Sequence, residues 1–119
     1  EVVVVMVVTA SRLRSLRGWQ RALMDRVDGA HYVLIADVPP DPPVTWERVA
    51  EKLVRRVPDE VPVLIDVERR WATELELDTE RPSLLLFDRQ GRLVERFRGR
   101  DGEPLVTEVS RSLERLTRP

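Results

Sequence analysis

The chain of 119 residues contains no cysteine. That excludes disulfides, thiolate nucleophiles and cysteine-ligated metals. It has a single histidine, His31, so neither a histidine-rich zinc site nor a histidine cluster can form. Lysine is almost absent too: apart from Lys52, every basic residue is arginine. No apolar run approaches the roughly 20 residues that a membrane-spanning helix needs. Net charge is nearly absent, at -1, which removes a global electrostatic drive toward nucleic acid or anionic membranes. There is no glycine-rich phosphate loop and no Asp-x-Asp-x-Asp-Gly calcium loop.

What is present is the composition of a globular protein, with 42% hydrophobic and 34% charged residues. The length suits one domain covering 1–119, large enough to fold without a metal or a disulfide. Because the chain opens on Glu1 and not Met, the expectation is that an N-terminal segment preceded it, a signal peptide and a membrane anchor being two forms it could take.

Hydrophobic patterning predicts an α/β order. Val2–Val8 is a β-branched run suited to a strand buried on both faces. Thr9 and Ser11 offer helix caps, and Leu13, Leu16, Trp19, Leu23 and Val27 follow at helical spacing. Gly18 inside that helix suggests a bend or close packing. Asp28-Gly29 ends it, and His31–Asp37 reads as a second strand. The proline-rich stretch 38–44 predicts a stiff loop, followed by a helix capped by Thr45 with Trp46, Val49, Leu53 and Val57 on one face. Val61–Asp66 is a third strand, and a short helix over 67–75 carries Trp71. Ser83–Phe87 and Leu93–Phe97 form a hairpin about the Asp88–Gly91 turn. A last helix starts around Gly102-Glu103-Pro104 and carries Leu105, Val109, Leu113 and Leu116. The expected core unites Leu16, Trp19, Leu23, Val33, Ile35, Leu64, Leu85, Val109 and Leu113, with the three tryptophans inside.

This order, with Val2–Val8, Val61–Asp66, Arg81–Asp88 and the Gly91-Arg92-Leu93-Val94 return, resembles the thioredoxin-like superfamily. The likeness is nearest to bacterial periplasmic, membrane-anchored or peroxiredoxin-related members. It implies a thioredoxin-like α/β fold: a central mixed sheet of about five strands flanked by helices, and a periplasmic or extracytoplasmic location. It also implies that Pro82 matches the family's cis-proline and that a Cys-x-x-Cys pair should open the first long helix. Here that stretch reads Thr9–Arg17, and the pair falls on Ser11/Arg14 or Arg12/Ser15, depending on register. Neither pair supports dithiol chemistry.

The residues singled out are therefore Ser11, Arg12, Arg14, Ser15, Arg81 and Pro82. Arginines at a helix start oppose its dipole, which raises the question of what holds them there. Either Glu74, Glu76, Asp78 and Glu80 pair with them, or they form a site for an anionic partner. A serine nucleophile would need a base, and His31 lies at the far end of its strand. The functional expectation is a redox-inactive protein-binding or structural module, with no cofactor and no metal, any protein partner docking through Arg12, Arg14 and Arg81. The alternatives are an enzyme or anion-binding protein using the arginine-rich cleft, or the docking subunit of a redox partner.

Overall fold

The computed structural model describes residues 1–38 and 63–119. The proline-rich loop beyond Val38, the helix expected from Thr45 and its Trp46 lie outside the described residues.

Five strands form one sheet in the order β3-β2-β1-β4-β5. The first strand, β1 (Val2–Thr9), is central. It pairs in parallel with β2 (Ala30–Asp37), from Val2 opposite Ala30 to Thr9 opposite Asp37. On its other side it pairs antiparallel with β4 (Ser83–Phe87), Val7 facing Ser83. The edges are β3 (Val63–Asp66), parallel to β2, and β5 (Leu93–Arg98), antiparallel to β4 with a bulge at Leu86/Phe87. Among the described residues three helices accompany the sheet: α1 (Arg14–Met24), the short α2 (Arg70–Glu74) and α3 (Leu105–Thr117). A 3-10 turn, Ala10–Arg12, leads from β1 into α1.

The unbroken apolar run of β1 is explained by burial of both its faces. Alternate residues point to opposite sides. Val2, Val4, Met6 and Val8 pack with Leu34, Leu84 and Leu86 beneath Leu16, Trp19 and Leu23 of α1 and Val106, Val109 and Leu113 of α3. Val5 and Val7 face the other way with Ile35 and Leu85, beneath Trp71, Leu75, Leu77 and Phe87. The single core expected from the spacing is thus two layers separated by the sheet. Val33 is half-buried in the second layer. Leu64 corrects the expectation outright: it lies opposite Ile35 on the edge strand, outside that cluster, and is 55% exposed. Trp19 is fully buried, whereas Trp71 is only half-buried and meets Phe87 edge-on, ring centres 6.4 Å apart.

Turns follow local chemistry. Asp88 accepts hydrogen bonds from the N–H groups of Gln90 (2.9 Å) and Arg92 (3.0 Å), and Gly91 takes the left-handed φ of 80° that closes the hairpin. Gly18 serves close packing: a Cβ there would lie 2.2 Å from Oδ2 of Asp101. The helix caps expected from Thr9 and Ser11 are not used, since neither end of the turn nor the start of α1 has a side-chain cap. The hydroxyl of Ser15 instead donates to the Arg12 carbonyl at 2.7 Å.

Candidate functional site

Parallel pairing brings the C-terminal ends of β1 and β2 to one edge of the fold, and the loop before β4 returns to that edge. Its anchor is Thr79, which is buried. The Thr79 carbonyl accepts the Thr9 N–H at 2.8 Å, and its hydroxyl donates to Asp37 Oδ2 at 2.7 Å. Asp37 is 1% exposed and receives the Arg69 guanidinium, with Nε at 3.1 Å from Oδ1 and Nη2 at 3.1 Å from Oδ2. A buried carboxylate requires such partners, and the hydrogen bond to Asp37 in turn raises the Arg69 pKa above the ordinary arginine range. Arg69 occupies the left-handed region (φ 55°). Nothing in the sequence had marked Asp37, Arg69 and Thr79 as a unit.

With Thr79 fixed, Glu80, Arg81 and Pro82 stand beside the start of α1. A third wall comes from the loop after β5. Gly99 donates its N–H to the Pro82 carbonyl at 2.9 Å, while its own carbonyl accepts Trp19 Nε1–H at 2.9 Å. Arg100 follows directly. The result is an open cleft of about 410 Å³ lined by Arg12, Arg14, Ser15, Glu80, Arg81, Pro82 and Arg100. Five of the six residues singled out from the sequence converge there. Ser11 is exposed and does not line the cleft. Arg12 and Ser15 both line it, and of the pair Ser11/Arg14 only Arg14 does.

The expected cis-proline is corrected. Among the described residues the one cis peptide bond is Glu103–Pro104, and Arg81–Pro82 is trans. An X–Pro bond prefers trans by about 0.5–1 kcal/mol. Ser83, the next residue, is already paired with Val7 and Arg98, so the chain enters the ladder directly.

The acidic stretch neutralises only part of the cluster. Arg12 Nε lies 3.4 Å from Glu80 Oε2, with both side chains at least half exposed. Asp78 pairs elsewhere, with Arg98 at 3.2 Å. Arg17 is engaged by Gln20. Arg14, Arg81 and Arg100 have no carboxylate partner among the described residues. Arg100 was missed from the sequence, although the hairpin register implied it: Arg98 faces Ser83, so the chain beyond it runs past Pro82.

The cleft lining combines four guanidinium groups with one hydroxyl and one carboxylate. The Ser15 hydroxyl is committed to a carbonyl. His31 is exposed, lies 3.9 Å from Glu1, and faces Val3 near the opposite end of the sheet. Among the described residues no group of three His, Asp or Glu side chains is placed to hold a metal.

No family model matches the chain, and no curated protein matches it. Solved structures do. The exposed lipoprotein thioredoxin Etrx1 of Streptococcus pneumoniae superposes with a TM-score of 0.72 at 14% identity, covering 95% of this chain and 85% of that one. A thiol-disulfide isomerase from Corynebacterium glutamicum gives 0.67 at 21% identity, over 100% and 82% of the two chains. The N-terminal domain of PilB from Neisseria gonorrhoeae gives 0.67 at 16%, over 100% and 83%.

Proposed function

We propose that this chain, whose fold is thioredoxin-like and whose sequence lacks any cysteine, is a redox-inactive binding module that docks a protein partner at the cleft between the start of α1 and Pro82. The observation that carries this reading is the presence of Arg14, Arg81 and Arg100 in one cleft without internal carboxylate partners among the described residues. Folding gains nothing from gathering like charges at a helix start. A partner with carboxylates gains charge-assisted, forked hydrogen bonds from them. Residues 1–119 act as one domain in this reading.

An enzymatic role at the same cleft is disfavoured, because the Ser15 hydroxyl is already donated to the Arg12 carbonyl and Glu80, the carboxylate of the lining, is paired with Arg12. A docking role toward a redox partner that brings its own cysteines is a special case of the binding reading. Etrx1 is described as an exposed lipoprotein. A periplasmic or extracytoplasmic location for this chain is proposed on that likeness. No helix among the described residues is long and apolar enough to cross a membrane.

The test is crosslinking in the native source with the intact protein and with an Arg14→Ala/Arg81→Ala variant. A defined partner captured by the first and lost with the second, at unchanged melting temperature, is the expected result. Identical partners for both would remove the cleft from the interaction.

A further inference from the structure

We propose that Glu80 is a resident carboxylate, occupying Arg12 until an acidic segment of the partner displaces it, and that it thereby selects carboxylates spaced along an extended chain over a compact polyanion. This rests on the binding-module reading and assigns the chemistry of its ligand.

Of the four arginines lining the cleft, Arg12 alone has a carboxylate partner among the described residues, that of Glu80 at 3.4 Å. The pair is exposed on both sides, at 52% and 71%, and pairs of that kind exchange readily with other ions because water screens them. The backbone beneath Glu80 is fixed: its N–H donates to Asp78 Oδ1 at 3.1 Å, and the preceding Thr79 is buried and held by Asp37. Glu80 thus presents a negative charge from a rigid base while its side chain remains free to swing.

A phosphate or sulfate that drew Arg12, Arg14, Arg81 and Arg100 together would concentrate its charge against that carboxylate. An acidic peptide spreads its charge. It can place carboxylates on Arg14, Arg81 and Arg100 while Arg12 stays with Glu80, then take Arg12 as Glu80 swings outward. Like-charge juxtaposition is an effective means of excluding the wrong ligand.

Isothermal titration of hexaglutamate and of inorganic phosphate into the wild-type chain, Glu80→Gln and Arg81→Ala tests this, with thermal melts confirming that each variant folds. The wild type should bind hexaglutamate and prefer it to phosphate, and Arg81→Ala should weaken that binding. Glu80→Gln should tighten hexaglutamate by about 1.5–5-fold, the scale of one exposed ion pair, and should raise phosphate affinity by the larger factor. Unchanged or weaker binding by Glu80→Gln, with Arg81→Ala still defective, would overturn the role of Glu80 and leave the binding module standing. Failure of hexaglutamate to bind any variant would overturn both.

Discussion

At the level of single residues, the cleft depends on Asp37, which it does not contain. Asp37 is buried and holds Arg69 and Thr79, and Thr79 sets the position of Glu80 and Arg81. The two halves of the ion pair are unequally solvated, with Arg69 at 38% and Asp37 at 1% side-chain exposure. Removing the cation strands a buried anion, whereas removing the anion frees a guanidinium that reaches water. Arg69→Met is therefore expected to cost about 3 kcal/mol or more and Asp37→Asn about 1–2 kcal/mol. Denaturant unfolding checks the order; equal losses would contradict the asymmetry. Asp88 carries a separate expectation. The Arg92 N–H first, and the Gln90 N–H with it, hold its carboxyl below the ordinary 3.8. Its contribution to the hairpin is thus present at neutral pH and is lost only as pH falls through the lowered folded value. Carbon-detected NMR should place its midpoint below that of a free aspartate, and a midpoint at or above 3.8 would contradict the turn geometry. Asp88 was legible as a turn residue because its partners are local. Asp37 was not, because Arg69 is 32 residues away and Thr79 is 42.

Elements were legible where one physical requirement dominates. The β-branched run of β1 and the apolar stripes of α1 and α3 follow from burial, and each lies within a few residues of its sequence expectation. Leu64 was misread because alternation marks a face of a strand without saying whether that strand is an edge. The register of the lost dithiol is open between two pairs, of which one lies wholly in the cleft lining. Arg12 and Ser15 both line the cleft, and the Ser15 hydroxyl reaches the Arg12 carbonyl, whereas Ser11 stays outside. Arg12→Cys/Ser15→Cys should therefore close a disulfide under mild oxidation, and Ser11→Cys/Arg14→Cys should not. Free-thiol titration and mass spectrometry read the outcome. Closure of the second pair alone would shift the site by one residue.

Across the whole molecule, topology makes the site. A central strand with a parallel neighbour on one side and an antiparallel neighbour on the other brings three separate loops to one end of the sheet. Arginines from sequence positions as distant as 12 and 100 meet there. The sequence pointed to Arg12, Arg14 and Arg81 through the resemblance of their surroundings to a known arrangement. Arg100 emerged only from the hairpin register, and the pairing of Arg12 with Glu80, in contrast to Arg14, which has no carboxylate partner among the described residues, only from the side-chain geometry. The central claim is that this end of a cysteine-free thioredoxin-like fold is an anion-reading surface. Its most direct measurement is the arginine Nε–Hε NMR spectrum of the intact chain during titration with hexaglutamate. The expected result is saturable shifts at Arg12, Arg14, Arg81 and Arg100, diminishing with added salt, while exposed Arg92 and Arg118 at other places on the surface stay unmoved. Equal shifts at all exposed arginines, or none in the cleft, would contradict it.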